Sequence, residues 1–244
     1  GFDYLGEPTP YHTDAWPNHS SMFGIIDLAS LPKDRYWLYR SVWNTESPTL
    51  HVLPHWNWPG REGEITPVYV YTSYPSAELF INGRSQGIRT KNRNSNLERY
   101  RLMWNEVRYE PGEVRVVAYD AEGRQAAERI VRTPGKPWAL RLSVDRKTLA
   151  ADGRDLAYVT VGVVDRAGNP VPTENREVRI EVSGAGHFRA VANGGPTSLE
   201  SFCEPHMHLF NGLLTAIVGS GDHPGELLVK VSARGLKSAE LRIS

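Results

Sequence analysis

Ala77-Glu78-Leu79-Phe80-Ile81-Asn82-Gly83-Arg84-Ser85-Gln86-Gly87 is the stretch whose reading decides the fold. Up to Ile81, apolar and polar residues alternate with a period of two, as a strand with one buried face requires. Asn82-Gly83 follows at once, and both residues tolerate the positive φ of a tight hairpin turn. The flanks repeat the pattern. Val68-Tyr69-Val70-Tyr71 is a strand upstream, and residues 100–104 form one downstream. Pro111-Gly112 turns the chain into a strand over 114–119, and Asp120-Ala121-Glu122-Gly123 turns it again into 126–131. Strands at this spacing make a small β-sandwich.

Thr133-Pro134-Gly135-Lys136-Pro137 has the composition of a linker. A second set of strands follows over 140–144, 157–164, 178–182, 213–218, 226–232 and 239–243. Turns at Ala150-Ala151-Asp152-Gly153 and Asp165-Arg166-Ala167-Gly168-Asn169-Pro170 separate the first of them. The second set reads as a second sandwich, with no sequence repeat of the first.

The totals agree with an all-β chain. The 17 prolines and 22 glycines among 244 residues fall between short apolar runs. The 28 basic and 28 acidic residues balance, which argues against a nucleic-acid partner. No apolar run reaches the ~18 residues of a membrane-spanning helix. Cys203 is the single cysteine, so the fold relies on packing rather than an internal disulfide.

Residues 1–50 have a different character. Gly1-Phe2-Asp3-Tyr4-Leu5-Gly6-Glu7-Pro8-Thr9-Pro10-Tyr11 reads as the tail of a strand running into a long polar and aromatic loop. Residues 32–43 then read as a helix, with Pro32 at its start, Asp34 in the first turn and Tyr36, Tyr39 and Trp43 on one stripe. Strand, loop and helix make one βα unit, which cannot close a barrel alone.

The opening stretch, together with Phe23-Gly24-Ile25-Ile26-Asp27-Leu28, Pro32-Lys33-Asp34-Arg35-Tyr36 and Leu53-Pro54-His55-Trp56-Asn57-Trp58-Pro59-Gly60, resembles glycoside hydrolase family 2. The likeness is to its bacterial β-galactosidase branch. It implies a mainly β chain: two immunoglobulin-like β-sandwiches preceded by an incomplete βα piece of a TIM barrel. Residues 1–50 would be the last barrel unit, 51–133 the first sandwich, and 138–244 a sandwich similar to invasin-like modules. The family is retaining and needs two glutamates with carboxyl groups about 5–5.5 Å apart. The resemblance implies that both lie upstream of Gly1, so that no catalytic residue is expected here and the piece alone is expected to be inactive. Its partners would be the barrel and N-terminal domains of its own polypeptide, a β-galactoside and a further copy in a homo-oligomer. No cofactor is expected, and the location would be periplasmic or exported, in a bacterium.

Four residues are candidates for lining the sugar pocket of the whole enzyme. Asp3 and Glu7 sit at the end of the barrel strand and in its loop, where barrel enzymes place their sites. The plainer role is to hold the loop backbone by hydrogen bonds. Trp56 and Trp58, flanking Asn57, would stack on a sugar or wedge the sandwich against the barrel, and the wedge is preferred. Cys203, His206 and His208 lie close together, but a structural zinc site commonly takes four ligands, so an exposed loop with a free thiol is expected instead. Asp145, Asp152, Asp155 and Asp165 fall at strand ends without a calcium-loop pattern and read as turn residues. Two other functions stay open: a carbohydrate-binding or adhesive module, and a β-glucuronidase or β-mannosidase parent.

Overall fold

In the computed structural model, which describes residues 1–6 and 17–244, contacts divide the chain into two units. One comprises Pro32–Thr133 and the other Gly1–Leu31 together with Pro134–Ser244. The described residues are mainly β, in four antiparallel sheets with one short helix.

The unit of Pro32–Thr133 begins with α1 (Asp34–Trp43). Lys33 is its N-cap in an extended conformation, and Asp34 lies in the first turn, where its charge suits the helix dipole. A three-stranded sheet runs in the order β1 (Leu50–Leu53), β2 (Val68–Thr72), β5 (Leu102–Trp104). A four-stranded sheet holds β3 (Ser76–Ile81), β4 (Arg84–Thr90), β6 (Glu113–Tyr119) and β7 (Gln125–Arg132), in the order β4-β3-β6-β7. Alternation decides which side chains meet. Val52, Val68, Val70 and Leu102 of the first sheet pack on Ala77, Leu79, Ile81, Val114 and Val116 of the second. The hairpin forms where Asn82-Gly83 predicts it, with φ of 47° and 78° at the two residues. Asn82 Oδ1 also accepts the Glu113 N–H at 2.7 Å, tying the turn to the next strand.

The second sandwich has β8 (Ala139–Val144), β9 (Leu156–Val164), β11 (Gly186–Ala192) and β13 (Leu213–Ser220) in the order β11-β13-β9-β8. Facing it are β10 (Glu177–Gly184), β12 (His206–His208), β14 (Leu227–Ala233) and β15 (Ala239–Ile243), in the order β12-β10-β14-β15. Val159, Val161, Leu214 and Val218 meet Val178, Ile180, Met207 and Val231 in its core.

Residues 1–50 are therefore shared between the units, and α1 and β1 belong with the first sandwich. The expected opening strand is not a sheet strand among the described residues. Its backbone groups are satisfied by the returning loop instead. The Asp3 N–H donates to Ile26 O at 2.8 Å, Gly6 N–H to His19 O at 2.9 Å, and Ser21 N–H to Tyr4 O at 2.9 Å. Isolated bridges pair Phe2 with Ile26 and Leu5 with Ser20.

Candidate functional site

Asp3 is only 8% exposed. Its Oδ1 accepts the Gly24 N–H at 2.8 Å, while its own N–H goes to Ile26. Gly24 is needed at this approach: a Cβ there would lie 2.3 Å from Asp3 N and 2.8 Å from Asp3 Oδ1. The carboxylate thus holds the loop 21–26 against the opening segment. Phe2, Tyr4, Leu5, Met22 and Phe23 of these two segments are all exposed. Glu7 lies outside the described residues.

The opening segment is held from a second side, within the same unit, by a loop that the sequence did not single out. The loop runs from Asn193 through Gly194 and Gly195 to Pro196. The His19 N–H donates to Pro196 O at 3.2 Å, and a Cβ on Gly194 would come within 2.2 Å of Asp27 Oδ2. Asp27 Oδ1 in turn accepts from Ala29 and Leu31 N–H, both at 2.9 Å. The signal available in the sequence was the pair of adjacent glycines, which marks a close backbone approach.

Trp56 and Trp58 belong to the other unit. Trp56 is 1% exposed, its ring edge-on to Tyr109 at 5.1 Å and its indole N–H bonded to Glu110 O at 2.8 Å. It fills the core of its own sandwich, so the expected wedge or sugar platform does not apply to it. Trp58 is half-buried. His55 stacks on its ring at 4.2 Å, the Arg61 guanidinium sits 5.4 Å from the ring centroid, and its indole N–H is held by His55 O at 2.9 Å. Burial pushes the His55 imidazole below its ordinary pKa, against the pull of the Asp34 charge.

His206 and His208 do not sit in a loop; they belong to β12, on either side of buried Met207. His206 Nδ1 lies 2.9 Å from Glu177 Oε1, and His208 Nδ1 lies 2.9 Å from Glu200 Oε1. Cys203 is an exposed free thiol. Among the described residues, no group of three His, Cys, Asp or Glu is placed to hold a metal ion. Of the strand-end aspartates, Asp152 accepts the Arg154 and Asp155 N–H groups at 2.8 and 2.9 Å, as a turn residue does.

Known proteins resemble this chain along its whole length. Residues 140–242 match the family model described as glycoside hydrolase family 2 C-terminal domain 5. Residues 63–127 match a domain family of unknown function. A β-galactosidase of Bacteroides ovatus is 43% identical over 100% of the chain, which covers 27% of that protein. A putative β-glucuronidase of Formosa agariphila is 30% identical over 96% of the chain, covering 22% of that protein. The crystal structure of a β-glycosidase from Bacteroides vulgatus superposes with a TM-score of 0.89 at 32% identity, over 100% of this chain and 30% of that one. The chain thus spans about a quarter of the length of these curated relatives, all bacterial. No helix among the described residues is long and apolar enough to cross a membrane. With its mainly β fold, its C-terminal family module and these relatives together, the chain belongs to glycoside hydrolase family 2, as a β-galactosidase-like piece made of that family's C-terminal modules.

Proposed function

We propose that this chain is the C-terminal accessory region of a retaining β-galactosidase, which hydrolyses terminal β-galactosides through a covalent glycosyl-enzyme. The observation that carries this reading is the 43% identity, over the entire chain, with a protein named a β-galactosidase. The share of this region is structural. Its sandwiches flank the catalytic barrel, and the opening segment closes one side of the sugar pocket. There Asp3 acts as a positioning residue through Gly24, and Glu7 lines the pocket. Trp58 keeps a role as an outer wall. The catalytic glutamates are supplied by upstream sequence. The proposed location is periplasmic or exported, where an external glycan is met, and cell fractionation with an antibody to the chain checks it.

The experiment compares this 244-residue chain with the same chain joined to its upstream sequence, on a chromogenic β-galactoside. Turnover by the longer protein alone supports the reading. Turnover by the 244-residue chain overturns the accessory role. A β-glucuronide is run in parallel, because a putative β-glucuronidase is also 30% identical to this chain. Preference for the glucuronide would replace galactosidase by glucuronidase as the activity.

A further inference from the structure

The turn after β9 is built on one carboxylate. Asp165 is buried, and its Oδ1 accepts the N–H groups of Ala167 at 2.9 Å and Asn169 at 2.8 Å. Its Oδ2 accepts Gly135 N–H at 2.8 Å and the Asn169 side-chain amide at 3.0 Å. Four donors fill the four lone-pair positions of this carboxylate, so none is left to accept a hydrogen bond from a neighbouring cation.

Beside this turn lies a groove of about 500 Å³, walled by Pro137, Trp138 and Ala167 and edged by Lys136 and Arg166. Trp138 is 38% exposed. The Arg166 guanidinium lies over its indole ring, 4.2 Å from the centroid, and Lys237 Nζ stands 5.6 Å from the same ring. Lys136, Arg166 and Lys237 are all exposed, and none makes an ion pair with a carboxylate among the described residues. Other arginines do meet an acid, as Arg176 meets Glu174 and Arg132 meets Glu113. Two cations without a carboxylate partner, Lys136 and Arg166, therefore line one apolar groove, and a third, Lys237, stands near its Trp138 wall.

We propose that this groove binds an acidic saccharide, whose carboxylate or sulfate oxyanion is taken by Arg166 with Lys136 and Lys237. Stacking on Trp138 holds the guanidinium as a preset planar fork, the geometry that pairs with an oxyanion through two parallel hydrogen bonds. The apolar wall beside it suits the flat C–H face of a sugar ring. A polynucleotide would need a longer basic track than three side chains, and the chain's net charge of zero supplies none. The inference stands on this groove alone and holds whichever glycoside the whole protein cleaves.

Calorimetric titration of the 244-residue chain at low salt tests it. The probes are a tetragalacturonate, a sulfated galactotetraose and neutral galactotetraose. Saturable binding of either acidic probe is expected, with the neutral one bound about tenfold more weakly or not at all. Arg166→Gln should weaken the acidic probe by about tenfold, and Lys237→Gln by a few-fold, with unfolding midpoints unchanged because both side chains are exposed. Binding of the uronate alone assigns the anion as a carboxylate, and of the sulfated probe alone as a sulfate ester. The proposal fails if neither acidic probe binds, if the neutral probe binds as well, or if Arg166→Gln binds like the parent chain.

Discussion

Trp56 shows how one buried side chain can settle what a motif cannot. Its neighbours in sequence suggested a surface pair of aromatics, yet its ring lies in the sandwich core against Tyr109. Trp56→Ala should cost about 3–5 kcal/mol of stability, the range for emptying an aromatic site in a core. Denaturant unfolding followed by tryptophan fluorescence measures it. His55, three residues before Trp58 in this same loop, makes a pH prediction. The Asn57 N–H donates to its Nδ1 at 3.3 Å, so that nitrogen carries no proton, and burial holds its pKa below the ordinary value. The unfolded chain therefore takes up a proton near pH 6.5 that the folded unit declines. Stability should fall as the pH drops through about 6.5, and level off once the folded imidazole also protonates. Unfolding midpoints at several pH values check this, and an equal pH dependence in His55→Gln would sink it. At Asp3 the carboxylate acts as an acceptor for the Gly24 N–H. Under the proposed function, Asp3→Asn in the upstream-extended protein should keep the loop and most of kcat/KM, whereas Asp3→Ala should lose about tenfold or more by releasing the loop at Gly24. Equal loss in both variants would instead point to a role for the charge.

At the scale of elements, the Asn82-Gly83 hairpin was legible because its turn chemistry and its alternation agree. Gly83 has a φ of 78°, so Gly83→Val should destabilise its unit by about 1–2 kcal/mol, read from the shift of the unfolding midpoint. The remaining strands that the sequence revealed are those with one buried face, such as β3, β6 and β10, whose inward residues alternate with outward ones. Those it did not single out have physical reasons. β4 is exposed along nearly its whole length, so no apolar period marks it. β11 opens on a glycine and has a register shift between Phe188 and Ala190, which breaks its period. β12 is three residues long, too short for any pattern, and was read as a loop. Of the candidate site, the bracing of a loop by Asp3 was readable from its place beside glycines and prolines. The support from residues 193–196 was not, because it depends on contacts made far along the chain.

The whole molecule divides where composition alone did not place the boundary. Residues 1–50 read as one βα unit, but α1 packs on β1 and β2 whereas the opening segment joins the second sandwich. The piece Pro32–Thr133 has its own two-sheet core, so a polypeptide of these residues should fold alone and unfold in one cooperative transition. Calorimetry on that polypeptide decides the matter, since a broad or absent transition would mean that its core is insufficient. The other unit cannot be excised in the same way, because its two segments are separated by about a hundred residues.

That separation sets a timetable for the newborn chain. His19 and Pro196, joined through their backbones, stand 177 residues apart in sequence (196 − 19). At roughly 5–20 residues per second, a ribosome needs about 9–35 s to deliver the second partner after the first. For that interval His19 and Asp27 lack the 193–196 loop that they meet in the finished unit, while Pro32–Thr133 emerges and is free to fold. Docking of the segment around His19 therefore comes after Pro32–Thr133 has left the ribosome, and it waits on synthesis of the loop at 193–196.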